Sequence, residues 1–402
     1  MIRRRGPGSE AGWTPFRPGP EDLERVADEV AAIPEIQAEM VAKHPDLTAG
    51  DRVAHQYQIA GGRVELRIDV DLPADLEGVG LFVPGVRHPG IGRLSTGLGY
   101  AHLETDPDFL GLMAAFWTAA GQRVDFLAIN DPSSPTDDHR QFVKLLKATA
   151  ASAGVEAPFG SGLGELDLLD LAAAQTKFAA ALIRELGIKD GLKGLGHILA
   201  QTSRTLRSST AYQTYWTGIE EVGATAGKFV FEPVRDDNGR RALRPGERYL
   251  SDEWRERQNR GDVEFRVHWL AFTDETRTPT GELTEPWQQD PRPVGHLVFP
   301  RTDPDGEETG LWATLAAEMG ANPGNWVHDA GDTIREPATE FGLARKLAYR
   351  LSQAGRDFLP EELYAEVFST GRISPALAEE LERRRAAKAR AGHVSAAPPA
   401  SS

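Results

Sequence analysis

The stretch Leu343–Arg356, LARKLAYRLSQAGR, places Tyr349 between Arg345 and Arg356. At ~100° per residue these three side chains fall within an arc of about 40° on a helix. Leu343, Leu347, Leu351 and Ala354 collect on the opposite side. A phenol flanked by guanidinium groups is either part of an ordinary polar stripe or a phenolate kept ready for a metal ion. Two further groups of residues could do chemistry. DRVAHQYQIAGG sets Arg52 shortly before His55, and GIGRLSTG brings Arg93, Ser95 and Thr96 to what reads as a turn. An imidazole moves protons near neutral pH because its unperturbed pKa is about 6.5. On a regular strand Arg52 and His55 point to opposite faces, so a shared site requires a bend or bulge. DFLAINDPSSPTDD then ends a buried strand at Asn130-Asp131-Pro132, and by residue type alone this is a turn.

Composition narrows the chemistry. The chain has 402 residues, of which 40% are hydrophobic and 26% charged, the pattern of a globular protein. There is no cysteine. That excludes disulfides, thiolate metal sites, iron–sulfur clusters, cysteine nucleophiles and haem held by or bonded to cysteine. Any metal must use His, Asp, Glu or Tyr. A formal charge of −15 opposes general binding to nucleic acid or anionic membrane, so neither is expected as a partner. No run reaches the ~18–20 apolar residues of a membrane helix. The opening MIRRRGPGSEAGWTPFRPGP has arginines without an apolar segment behind them, so no secretory signal is read and a cytoplasmic location is expected.

The elements that must position these residues are read from periodicity. Residues 1–19 and 386–402 are expected to be disordered ends flanking a single domain over 20–385. A helix is expected from Pro20 with Leu23, Val26, Val30 and Ile33 on one face. RVAHQYQI, RVELRIDVDL and VGLFVPG read as strands, with Gly61-Gly62 as a hairpin turn. PDFLGLMAAFWTAAG reads as a short helix and QRVDFLAI as a buried strand. HRQFVKLLKATAAS and ELDLLDLAAAQTKFAAALIREL read as amphipathic helices. GKFVFEPV, DVEFRVHWLAF and RPVGHLVFP read as strands, and helices follow from about Leu311 to Lys388. GSGLG at 160–164 lacks the spacing and preceding strand of a dinucleotide loop. Strands gathered in two blocks favour an antiparallel sheet or barrel over a doubly wound sheet.

In order, RVAH, RLSTG, DFLAINDP, YWTGIEEVGATAGKFVFEP, TRTPTGELTEPW and RKLAY…R resemble the catalase superfamily, most closely its short haem-dependent hydroperoxidases. The likeness runs from about Arg52 to Arg356, roughly three quarters of the chain. It implies an α+β fold: a catalase-like antiparallel β-barrel with inserted and C-terminal helices. It also implies haem b as cofactor, peroxide and a small-molecule donor as reaction partners, and leaves a homo-oligomer open; the alternatives are a catalase-fold enzyme that rearranges organic or lipid hydroperoxides or oxidises a dedicated metabolite, and a degenerate haem-binding protein without turnover. The family's Arg-x-x-x-Tyr motif matches Arg345 and Tyr349, which makes Tyr349 the iron ligand; tyrosine is the haem ligand in catalase. Its Arg-Val-x-His motif matches Arg52 to His55, which makes His55 the distal proton shuttle and Ser95 the residue that orients it. Arg52, Arg93 and Arg356 match positions that pair with haem propionates. Catalases usually carry two asparagines before Thr-Pro. Here Ile129 and Asn130 precede Asp131-Pro132, so a gapless match puts Ile129 in the place of the catalytic amide. Asn130, its neighbour, is the remaining amide and stands as a candidate catalytic residue with His55 and Ser95. SSPTDD replaces the family's aromatic residues and implies a smaller, more polar channel wall. The segment from Asn325-Trp326 to Gly342 also diverges.

Overall fold

Alternation in VELRI sends Val64, Leu66 and Ile68 to one side of a strand and Arg63, Glu65 and Arg67 to the other. In the computed structural model this strand is one of eight that close a barrel. The structure describes residues 13–44, 47, 51–52, 54–97, 99, 104, 109–119, 121–152, 168–205, 210–234, 249–325, 328–329, 332–333 and 335–390. The strands are β1 (Gln58–Ile68), β2 (Arg87–Thr96), β3 (Leu110–Trp117), β4 (Arg123–Ile129), β5 (Tyr215–Thr217), β6 (Glu220–Val222), β7 (Thr225–Pro233), β8 (Val263–Ala271) and β9 (Arg292–Phe299). Their order is β7-β5-β4-β3-β2-β1-β9-β8, and pairing of β7 with β8 closes the ring, antiparallel throughout. The short strands β6 and Arg335–Pro337 extend the sheet beside the start of β7.

The barrel interior is a packed aromatic core. Phe116, Phe126, Phe229, Phe231, Phe265 and Trp269 fill it, with Phe126 edge-on to Phe229 at 5.1 Å. Helices build the outside. They are α1 (Pro20–Val30), α2 (Ile33–Lys43), α3 (His139–Ser152), α4 (Leu168–Leu186), α5 (Ile188–Thr205), α6 (Tyr249–Arg260), α7 (Glu307–Glu318), α8 (Glu340–Gln353), α9 (Glu361–Tyr364), α10 (Val367–Thr370) and α11 (Pro375–Arg390). Leu311, Leu315 and Ala316 of α7 cover Ile91 and Ala115 on the outer wall. Leu343, Leu347 and Leu351 of α8 pack with Val26 and Val30 of α1 and Val143 of α3. The apolar side of α8 therefore serves a helical layer, and its Arg345–Tyr349 side is left for chemistry.

Several expectations are corrected. PDFLGLMAAFWTAAG contains strand β3, not a helix, because both its faces are buried, one in the barrel and one under helices. Burial on both faces removes the alternation that marks a strand. Gly61-Gly62 is no hairpin: β1 runs straight through it. A Cβ at Gly61 would lie 2.6 Å from Gln58 Nε2 and 2.8 Å from Ala316 Cβ, so that glycine admits helix α7. VGLFVPG forms a turn with a lone Val79–Phe82 bridge, and GIGRLSTG belongs to strand β2. The first helix stops at Ala31-Ala32; Ile33, just ahead of Pro34, opens α2, and Leu23 is exposed. Short strands at His328–Asp329, Asp332–Thr333 and Arg335–Pro337 interrupt the C-terminal helices. Residues 13–19, expected within a disordered arm, lie against the barrel because Trp13 and Arg17 both bind the buried Glu221. Helix α11 carries order past 386 to Arg390. GSGLG lies outside the described residues.

The Gly61 contact generates a prediction. Gly61→Ala is expected to lose about 1–3 kcal/mol by overpacking, measured by urea unfolding. Gly62→Ala, whose Cβ would have nothing within 4 Å, is expected to lose far less. Equal losses would refute the close-approach explanation.

Candidate functional site

Residues paired directly across an antiparallel ladder point to the same side. The pairs Ser95–Gly111, Gly111–Ile129 and Ile129–Trp216 therefore make one row across β2, β3, β4 and β5. The adjacent row of Leu94, Leu112 and Ala128 lies in the barrel interior, so this row faces outward. His55 lies against its middle. A Cβ at Gly111 would stand 2.6 Å from His55 Nδ1 and 3.0 Å from Ser95 Oγ. The glycine leaves the space that the imidazole fills. Ser95 Oγ meets His55 Nδ1 at 3.2 Å and fixes the orientation of the ring.

The bend that Arg52 and His55 require is present at His55 itself. Its φ is 55°, the left-handed region that non-glycine residues enter at a cost of order 1–3 kcal/mol. Both its backbone groups are held: the N–H donates to Gly97 O at 2.8 Å, and the carbonyl accepts from Arg93 Nη2 at 2.9 Å. Arg93 Nη2 also donates to Gln56 O at 3.0 Å. Sequence reading missed Gly111, whose place in an apolar run signals close approach once the run is recognised as a strand.

Arg52, Arg93, Arg356 and Tyr349 come together beside this row. Arg93 is buried, and desolvation, then the charges of Arg52 and Arg356, push its pKa well below the usual value while Tyr349 opposes the shift. Desolvation and Arg52 bring Arg356 down to about 9, again against Asp51 and Tyr349. Half-buried Arg52 is lowered by desolvation and supported through space by Tyr349, Asp51 and Glu318. Arg93 Nε is buried with no hydrogen-bond partner, and among the described residues no carboxylate lies within ion-pair distance of Arg52 or Arg93. A buried guanidinium such as Arg93, set beside the like charges of Arg52 and Arg356, would be stabilised by an added anion.

Helix α8 brings Tyr349 to this cluster. Thr339 caps its first turn by accepting from Gly342 N–H at 3.1 Å. A clasp then fixes the helix start: His139 Nε2 meets Glu29 at 2.5 Å, Arg25 holds Glu340 at 2.7 Å, and Arg140 holds Glu29 at 2.7 Å. Glu29, His139 and Glu340 are spaced as metal ligands could be, but the two arginines already satisfy both carboxylates. Near the far end, Gln353 binds Ala321 O at 2.6 Å and Asn322 binds Lys346 O at 3.3 Å. Arg345 Nη1 would stand 2.6 Å from a Cβ at Gly218, a second glycine that makes room for a site side chain. Arg356 lies beyond the helix, which ends at Gln353, so a turn rather than the helical arc delivers it.

Asn130 sits differently from Ile129. Its Oδ1 accepts from Leu110 N–H at 2.7 Å and its Nδ2 donates to Gln213 at 3.2 Å. Ile129, not Asn130, shares the row with Gly111 and so flanks His55.

Solved structures of the same fold include a fungal catalase, at 16% identity and TM-score 0.54, over 76% of this chain and 59% of that one. A bacterial catalase matches at 16% and 0.56, over 91% of this chain and 66% of that one. Catalase A from Saccharomyces cerevisiae matches at 14% and 0.52, over 94% and 71%. The chain thus spans about three fifths to two thirds of the first two catalases. No family model and no curated protein matches the sequence. The chain has a catalase-like α+β fold, an eight-stranded antiparallel barrel with added helices. No helix among the described residues is long and apolar enough to cross a membrane.

The unbalanced cations make a test that needs no cofactor. Arg52→Met is expected to keep the stability of the ligand-free protein or raise it by about 1 kcal/mol in urea. A clear loss would show that Arg52 is already compensated within the chain.

Proposed function

We propose that this chain is a haem-dependent hydroperoxidase, in which Tyr349 would hold the iron and His55 would handle the proton. The observation that carries the reading is the buried Arg93, grouped with Arg52 and Arg356 beside the phenol of Tyr349. Haem b fits that set: its two carboxylates match the demand for anions, and charge-assisted pairs with arginine are among the stronger polar contacts. The donor chemistry fits as well. A phenol oxygen is among the side-chain donors that hold haem iron, and Arg345 stands one helical turn before it to pair with negative charge there. Arginine suits the task because it donates without accepting a proton.

When bound, haem b supplies a ferric Lewis-acidic and redox centre at which a peroxide O–O bond is cleaved. The chain's own residues then have separable tasks. Arg52, Arg93 and Arg356 would hold the carboxylates, and Arg93 also fixes the His55 carbonyl. Tyr349 would hold the metal, and Arg345 adds positive charge one helical turn before it. His55 takes the proton from the inner oxygen of the hydroperoxide and returns it to the departing oxygen, which leaves as water or an alcohol. Ser95 keeps the ring turned for both transfers. Two electrons and two protons from a small-molecule donor complete the balance, converting ROOH into ROH and water. The catalase-like fold supports this chemistry by likeness alone.

Two variants test the assignment. Haem-loaded protein is expected to show the absorption bands of a tyrosine-ligated ferric haem, and Tyr349→Phe to lose or shift them. An unchanged spectrum removes Tyr349 as ligand. His55→Ala is expected to retain haem while peroxide consumption slows by about 10²–10⁴-fold, the usual worth of a positioned acid–base group. Unchanged turnover removes His55 from the reaction.

A further inference from the structure

Beyond Gly111 and its imidazole, the next two side chains in the outward row are Ile129 and Trp216. Directly paired residues have Cβ atoms about 5 Å apart, so Ile129 stands at the edge of the space above which His55 lies. Both side chains are half-buried, and among the described residues neither packs into an apolar cluster. Two large apolar groups thus line the flank of a proton-moving histidine without being used by the core. The only amide in reach by sequence, Asn130, is engaged with Leu110 N–H and Gln213. A hydrogen peroxide molecule at His55 would find no polar side chain from β4 to hold its outer oxygen, whereas an alkyl or aryl group on that oxygen would bury Ile129 and Trp216.

We propose that Ile129 and Trp216 form a specificity wall, and that the peroxide accepted at His55 is an organic hydroperoxide with an apolar body. This rests on the hydroperoxidase reading above. The wall acts through contact with the group R, which ends in the alcohol ROH after the O–O bond breaks. His55 serves any hydroperoxide, and the wall decides which is favoured. Apolar contact of this size discriminates by roughly 10–200-fold.

The test compares kcat/KM for cumene hydroperoxide and hydrogen peroxide in haem-loaded wild type and Ile129→Asn, with a phenol as donor. The wild type is expected to favour cumene hydroperoxide, and the variant to shift the ratio at least tenfold towards hydrogen peroxide. A wild-type preference for hydrogen peroxide, or a ratio moved less than twofold, overturns the proposal. Ile129→Thr, β-branched and suited to a strand, carries the same comparison should Asn disturb β4. Binding of cumyl alcohol to the haem-free protein, followed by calorimetry, provides an independent readout and is expected to weaken in both variants. Binding unaffected by either substitution counts against the wall. Ile129-dependent binding by a protein that takes up no haem keeps the wall and sinks the haem reading; haem uptake with fast, unselective peroxide turnover does the reverse.

Discussion

Arg93 is the residue on which the two halves of the site depend. One nitrogen of its guanidinium holds the carbonyls of His55 and Gln56, which stabilises the left-handed backbone that turns the imidazole onto the barrel wall. Its charge meanwhile belongs to the group formed with Arg52, Arg356 and Tyr349. A buried guanidinium costs several kcal/mol unless bonded and balanced. Arg93 is bonded on one side and unbalanced on the other. The local fold at His55 is therefore linked to whatever anion the arginines receive.

The barrel uses its two surfaces for different ends. The inside is filled by aromatic packing. The outside is divided: α7 covers the wall around Ile91 and Ala115, while the row from Ser95 to Trp216 is left to His55 and to the polar side of α8. Glycine marks the places where another part of the chain comes closest to the wall. Gly61 admits α7, Gly111 admits an imidazole, and Gly218 admits a guanidinium. Each is costly in a strand or at its end, and each is explained by what would collide with a methyl group.

Helix α8 needs equally deliberate placement, because a ligand on a helix is only as well aimed as the helix. Its apolar side is set by Leu343, Leu347 and Leu351 among α1 and α3, its start by the Glu29–His139–Glu340 clasp, and its end by Gln353. These contacts come from residues far apart in the chain.

The sequence alone determined which residues could share a site, since the order of RVAH, RLSTG and RKLAY tied His55, Ser95, Arg52, Arg93 and Tyr349 to one fold. It also determined strands with a clear alternation, such as VELRI and DVEFRVHWLAF, and helices with one apolar side, such as α3 and α8. Only the tertiary structure decided that GLMAAF is a strand, that β1 passes through two glycines and that Arg356 arrives by a turn. It alone showed that Gly111, across the ladder from Ser95, leaves the space for the imidazole. The physical reason is common to all four. Periodicity reports a face only when water lies on the other side, and register reports a neighbour only once strands have paired; a wall buried on both faces hides the first, and a linear chain contains nothing of the second.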